Sequence, residues 1–403
     1  MRAARPGLRA VLVAGALLAA AVASPGSPAI AHAKTKAATT SPNPSSTFNA
    51  LSAVSSVSKT DAWAVGNYTD DGTGDIDTLV LHWNGTQWSQ VPSPNPSSTL
   101  NTLVAVRAVS ATNVWAVGWE VDNTNHIPKT LIEHWNGSEW SVIKSPSPSP
   151  VNNALYAVNG GGSQGGVWAV GTDLNEPGDF YETLALRWNG TKWTRVVTPN
   201  PSGVDNSLRG VREPSPNNAW AVGAYAPIPD DYQTLILHWN GTKWSRVKSP
   251  NPSAGDSELN ATSGASPPNG WAVGHFYYTP GFQYATLTVH WNGHAWSKVA
   301  SPSPSSSRNE LTSVRAITVG DAWAVGQFLD DGLGIYRTLA LHWNGTKWSQ
   351  VKTPNPGDAG NSLAGVTATS STDVWAVGQY STGTGTPTET LILHWNGHSW
   401  VQK

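Results

Sequence analysis

The 403-residue chain has no cysteine. That excludes disulfides, thiolate metal sites and thiol nucleophiles, and leaves stability to a core large enough to manage without cross-links. Charge is scarce too, at 12% of residues with a net of −2, which disfavours nucleic acid and anionic membranes as partners. Long helix-forming runs are missing, because 39 glycines and 29 prolines punctuate the chain into short segments suited to strands and turns. Tryptophan is abundant by contrast, with 22 residues.

All but one of those tryptophans fall in register. Trp-Ala-Val-Gly begins at Trp63, Trp115, Trp168, Trp220, Trp271, Trp323 and Trp375. Trp-Asn-Gly follows at Trp83, Trp135, Trp188, Trp239, Trp291, Trp343 and Trp395. A third series stands five residues on, from Trp88 to Trp400, and Trp119 alone is out of series. A period near 52 residues marks a repeat architecture. Within repeat one, Leu51–Ser58 predicts a strand A, Ala62–Tyr68 a strand B, Thr78–Trp83 a strand C and Trp88–Val91 a strand D. Asn84-Gly85 predicts a two-residue hairpin with Trp83 opposite Thr86 and Leu81 opposite Trp88. Pro92, Pro94 and Pro96 then end the pairing.

Four antiparallel strands in each of seven units predict an all-β, seven-bladed β-propeller over 47–403. Its blades fall near 47–98, 99–151, 152–203, 204–255, 256–307, 308–359 and 360–403. The in-register tryptophans are expected to pack between blades, with the small Ala64 and Gly66 making room for a neighbour's ring. Strand A is expected to line the central channel. Ring closure rests on face packing of the last blade against the first, since the chain enters at a strand A and leaves at a strand D.

The first 33 residues differ in kind. Arg2, Arg5 and Arg9 precede an apolar run from Ala10 to Ala23, and Ala31-His32-Ala33 offers a small-residue cleavage site. This predicts a signal peptide at 1–33, a secreted protein and no membrane insertion, because the run is short for a span. Its removal leaves 21 basic against 26 acidic residues, a net of −5. Residues 34–46, rich in Ala, Thr, Ser and Pro, read as a flexible leader.

The repeats resemble those of bacterial seven-bladed propeller lectins. The residues that carry the resemblance are His82-Trp83-Asn84-Gly85-Thr86-Gln87-Trp88-Ser89 and their counterparts, with Arg187 replacing His in repeat three. They are also similar to the Asp-box hairpins of sialidase-like propellers, although Trp83 and Gln87 stand where that box has aspartate and threonine. The first resemblance implies glycan binding.

Two periodic sets invite a chemical reading. His82, His134, His238, His290, His342 and His394 share one position, but one histidine per blade cannot assemble a metal site. Arg107, Arg212 and Arg315 share a position in strand A of alternate blades, too spread for a carboxylate clamp. No catalytic residue is assigned.

Function concentrates in the B–C segments, which hold nine of the ten tyrosines, four of the five phenylalanines, Trp119 and 15 of the 26 acidic residues. Rings that stack on sugar C–H faces, beside carboxylates that accept hydroxyl hydrogen bonds, suit a carbohydrate. The candidate ligand-binding residues are Trp119, Tyr181, Tyr232, Tyr277, Tyr278, Phe282, Tyr336, Asp75 and Asp179. Asp71, Asp75 and Asp77, alternating in a Gly-rich loop, are candidate Ca²⁺ ligands without the full EF-hand spacing. The expected protein is a monomer that binds a glycan or an extracellular protein without catalysis. A glycoside hydrolase or lyase using carboxylates of the same face, and a protein-interaction scaffold, stay open as alternatives.

Overall fold

The computed structural model describes residues 41–161, 166–175, 180–229, 231–266, 269–278, 283–383 and 385–403. The expected signal peptide, the leader up to residue 40, and the candidates Asp179 and Phe282 lie outside the described residues. Among the described residues there is no helix, and twenty-eight strands follow one another as seven A–B–C–D meanders. In repeat one these are Asn49–Ser58, Asp61–Thr69, Ile76–Trp83 and Trp88–Gln90. Hydrogen bonding groups them into five four-stranded sheets and one eight-stranded sheet. In the latter, repeats three and four are joined by a single parallel bridge between Tyr181 and Asp205.

Every strand A carries a β-bulge at the same place. In repeat one Leu51 pairs with Gly66 and Ala53 with Val65, so Ser52 is extra. The same shift leaves out Val104, Tyr156, Arg209, Asn260, Thr312 and Ala364. A bulge bends its strand and re-aims the unpaired residue. It also explains the glycine of Trp-Ala-Val-Gly: a Cβ at Gly66 would lie 1.9 Å from the Ala50 carbonyl oxygen. The space at Gly66 therefore belongs to the chain's own strand A and not, as expected from sequence, to a neighbour's ring.

The C–D hairpin also differs from expectation. Trp83 pairs directly with Trp88, and Leu81 with Gln90, so the connection is four residues long. Gly85 takes a φ of 95°, but Asn84 has no positive φ and acts through its side chain. Its Oδ1 accepts from the backbone N–H of Thr86 and Gln87 and from the Thr86 hydroxyl. This Asx-type turn replaces the two-residue type I′ turn.

Between repeats the contacts are aromatic. Trp63, 2% exposed, packs on Trp135 and Trp140 of repeat two, with ring centroids 5.0 and 5.4 Å away. The same insertion recurs around the ring, and Trp375 of repeat seven returns to Trp83 and Trp88 of repeat one at 4.9 and 5.3 Å. His82 stacks on Trp63 at 4.2 Å and bonds Asp61 through Nε2 at 2.9 Å. The periodic histidines thus hold the tryptophan and the A–B turn in place.

A second ring of ties runs nearer the axis, at the position shared by the three arginines. Ser55 Oγ accepts from the N–H of Ala108, Asn159 Oδ1 from Glu213, Ser263 Oγ from Ala316 and Thr367 Oγ1 from Ser56. In the alternate repeats Arg107 donates to the Gly160 carbonyl, Arg212 to Ser266 and Asn269, and Arg315 to Ala368. Each repeat is therefore stapled to the next by this one side chain.

Residues 41–46 are not a flexible leader. Ser41 and Ser45 are buried, and Asn43 Oδ1 accepts from the N–H of Thr390 in the last repeat. Asn95 makes the same bond to Thr78 within repeat one. Ser41-Pro-Asn-Pro is thus a further copy of the D–A linker, and it completes repeat seven. With the Phe48–Thr388 bridge, it adds hydrogen bonds to a closure expected to rest on face packing alone.

Glu133 breaks the pattern in strand C of repeat two, where the other repeats carry an aliphatic residue. It is 0% exposed, and neither carboxyl oxygen has a hydrogen-bond partner. Burial alone pushes its pKa up to about 8. The folded state therefore binds a proton that the unfolded chain releases near pH 4.5, and stability falls as pH rises from about 4.5 to 8.

Two outcomes are expected. Glu133→Leu should stabilise the fold at pH 8 by on the order of a few kcal/mol, with much less gain at pH 4. Urea melts at both pH values will show it, and an equal effect at the two would contradict the buried acid. Trp220→Ala should cost about 3–5 kcal/mol. A loss below about 1 kcal/mol in the same melts would mean that the ring is not a packing element.

Candidate functional site

The seven strands A surround an axial cavity of about 240 Å³. Its waist is built from Ala53, Ala105, Ala157, Gly210, Ala261, Ser313 and Gly365. These must be small because neighbouring strands A nearly touch: a Cβ at Gly365 would lie 2.9 Å from the Ala53 Cα. Beside the waist stand the bulge residues, and here the repeats stop being alike. Repeats one, two and seven present Ser52, Val104 and Ala364, whereas repeats three to six present Tyr156, Arg209, Asn260 and Thr312.

The strand ends around these residues form one mouth of the channel. Trp119 leaves strand B of repeat two and meets the Tyr156 ring edge-on at 6.1 Å. Tyr181, Tyr232 and Tyr284 are each the second residue of strand C, in repeats three, four and five. Tyr232 donates to Asp205 Oδ2 at 3.3 Å, and burial together with Asp205 pushes its hydroxyl up to about 12. Tyr277 lies 5.2 Å from Tyr284, and His275 lies 5.4 Å from the same ring.

Charges sit between the rings. Arg209 Nη2 is 2.9 Å from Glu258 Oε2, and both side chains are largely buried. Burial alone would raise the Glu258 carboxyl, but Arg209, with His275 and Arg308, outweighs it and holds the acid below its ordinary value. Burial alone would lower Arg209, and Glu258 with its acidic neighbours holds it above. Glu310 lies 3.9 Å from both His275 Nδ1 and Arg308 Nη2, and it accepts from Asn260 Nδ2 at 3.4 Å.

The structure thus brings together Trp119, Tyr181, Tyr232 and Tyr277 of the sequence-predicted residues. Tyr278 stands 44% exposed one residue beyond, at the tip of its hairpin. Tyr336 repeats the Tyr284 position in repeat six. Asp75 belongs to the hairpin tip of repeat one, where its carbonyl accepts from the N–H of Asp70. Sequence reasoning missed Tyr156, Arg209, Asn260, Glu258, Glu310, His275, Tyr284 and Arg308 as site residues. A signal for the bulge residues was present: the position after the invariant leucine of strand A varies from Ser to Tyr to Arg while the residue after it stays small.

The calcium reading is corrected. Asp71 accepts from the Ser45 hydroxyl and the Ser46 N–H, which ties the Pro-rich linker to the hairpin and lowers its pKa. Asp77 is raised by burial and faces the Tyr68 hydroxyl. The three carboxylates do not converge, and among the described residues no group of three or more His, Asp or Glu is arranged to hold a metal ion.

No protein-family model matches the chain, and no curated protein sequence matches it. Its fold is nevertheless shared with solved β-propeller structures. YCF48 bound to D1 peptide aligns over 82% of this chain and 89% of its own, with a TM-score of 0.50 and 13% identity. An ulvan lyase of a polysaccharide lyase family, bound to -[GlcA(1-4)Rha3S]-, aligns over 85% and 91%, with a TM-score of 0.51 and 8% identity. The Pyrococcus horikoshii acylaminoacyl peptidase gives 0.53 at 9% identity, and this chain covers 87% of itself and 52% of that one. Identities this low define the class, an all-β propeller-like protein, and go no further.

Arg209→Met should leave Glu258 buried without its partner and cost about 3–5 kcal/mol at neutral pH, whereas Arg209→Met/Glu258→Leu should recover most of it. Denaturant melts of both variants will show whether the double change rescues. If it does not, the pair is not the reason Arg209 matters.

Proposed function

We propose that this is a secreted, monomeric, seven-bladed propeller that binds a carbohydrate, without catalysis, at the channel mouth of repeats two to six. One observation carries the reading. The frame repeats nearly unchanged seven times, while ring-bearing and charged side chains that the frame does not need gather at a single mouth. Six rings there (Trp119, Tyr156, Tyr181, Tyr232, Tyr277 and Tyr284) offer flat apolar faces, and the carboxylates beside them accept hydroxyl hydrogen bonds. The resemblance of the hairpins to lectin repeats and the polysaccharide carried by one structural neighbour agree with this. A two-carboxylate hydrolase would need one carboxyl kept protonated as general acid. Glu258, held below its ordinary value by Arg209, is not that acid. Secretion rests on the Arg-flanked apolar run at the N-terminus.

Protein recovered from culture medium, expected to begin at Lys34, would be screened on a glycan panel and titrated calorimetrically with the strongest ligand. Trp119→Ala and Tyr232→Ala should each weaken binding about fivefold or more without lowering Tm. Tyr278→Ala, at the exposed hairpin tip, should leave affinity unchanged. If no glycan binds at millimolar concentration the carbohydrate reading falls, and a peptide, as carried by the YCF48 structure, becomes the ligand to test.

A further inference from the structure

The mouth has a chemical polarity that narrows its ligand. Four carboxylates lie among its rings, Asp205 and Glu258 near Tyr232, Asp256 near Tyr284 and Glu310 beside Asn260, against the guanidiniums of Arg209 and Arg308. Arg209 is already engaged by Glu258 at 2.9 Å. Asp205 accepts only from tyrosine, through the Tyr181 N–H and the Tyr232 hydroxyl. Asp256 accepts from the Tyr232 N–H, and among the described residues neither aspartate has a cationic partner. Glu310 keeps its nearest cation, Arg308, at 3.9 Å, beyond hydrogen-bond reach. The surplus at this mouth is therefore negative.

A second observation is independent of charge. Asn260 lines the cavity, is 8% exposed, and has a side-chain oxygen with no partner. Its orientation is determined by its neighbours. Nδ2 donates to the Leu311 carbonyl at 2.9 Å and to Glu310 Oε1 at 3.4 Å. A flipped amide would set oxygen against two acceptors, so Oδ1 must be the free atom. A buried acceptor left without a donor costs stability. Close by, His275 is also 8% exposed, with Nδ1 unpartnered. An unmet acceptor among surplus carboxylates, with Tyr284 beside His275 and Tyr277 beside Tyr284, suits a donor that carries positive charge. Aromatic faces stabilise such a group further.

Resting on the carbohydrate reading above, we infer that the repeat-five side of this mouth receives a primary ammonium, so that the preferred ligand is a glycan containing unacetylated amino-sugar units. The ammonium donates to Asn260 Oδ1 and Glu310, with Asp256 supplying longer-range attraction. Uronic acids and sulfated sugars are disfavoured, because their charge would meet the surplus carboxylates while Arg209 is occupied by Glu258 and Arg308 lies over the Tyr284 ring at 5.4 Å.

The test is calorimetric titration of the whole protein with a β-1,4-linked glucosamine tetrasaccharide, its fully N-acetylated counterpart, and tetralysine. The glucosamine oligomer should bind about tenfold or more tighter than the acetylated one at 50 mM salt, and this preference should shrink at 500 mM salt. Glu310→Gln and Asp256→Asn should each cut the preference severalfold with Tm unchanged, because affinity for the glucosamine oligomer falls much further than affinity for the acetylated one. If one variant fails to fold, the other carries the comparison. Equal binding of the two oligomers would overturn the inference and leave the carbohydrate reading standing. Binding of neither also overturns it, and the wider glycan panel then decides that reading. Tetralysine binding more tightly than either sugar would overturn both in favour of a basic peptide.

Discussion

The insertion of each Trp-Ala-Val-Gly tryptophan between two tryptophans of the next repeat is the contact on which everything else depends. A four-stranded meander has two apolar faces and cannot cover either alone. Trp63, Trp115, Trp168, Trp220, Trp271, Trp323 and Trp375 each cover the neighbour's face, and the last of them returns to repeat one. With no cysteine and few ion pairs, the ring is held by ring–ring packing and by the side-chain staples near the axis. Histidine, or Arg187 in repeat three, only orients this contact: the Arg187 guanidinium lies 5.2 Å over Trp168 where the others stack an imidazole.

A frame held this way leaves certain positions free. Strand A must approach its neighbours closely at the waist, so residues there stay small. The bulge residue immediately beside it has no strand-pairing partner and lines the channel, so the close approach at the waist does not restrict its size. Tyr156, Arg209, Asn260 and Thr312 differ in size and chemistry within one ring, and Asn260 and Thr312 bond carbonyls of the next repeat. The bulge that creates them is the same one that forces glycine at Gly66 and its six counterparts. Fold and candidate site thus share one local irregularity, which explains how the ring can be nearly uniform and its mouth so one-sided.

Charge follows the same division. In the frame, polar side chains are spent on backbone groups: Arg212 on two carbonyls, Asn43 on the Thr390 N–H, Asp71 on the Ser46 N–H. At the mouth, charged groups instead face one another at 3–4 Å around an open cavity, with acceptors left over. Glu133 fits neither class. It is a lone carboxyl at a position where its counterparts are aliphatic, and the structure shows no contact that accounts for it.

The repeat, its strands, the all-β class and the interlocking role of the tryptophans were legible in the amino-acid order, because periodic apolar spacing determines which faces must be covered. Trp119, Tyr181, Tyr232 and Tyr277 were legible as chemistry the repeat did not require. Other features emerged only in the folded ring. Whether Trp83 faces Thr86 or Trp88 depends on how the Asn84 side chain closes the turn. Whether Ser41–Ser46 dangles or seals the ring depends on Thr390, nearly 350 residues away in the chain. That Tyr156, Arg209, Asn260 and Glu310 share one mouth depends on a bulge and on curvature that stacks residues about 50 apart in sequence side by side. Sequence spacing specifies local periodicity, whereas convergence across an axis requires the closed ring that only tertiary packing supplies.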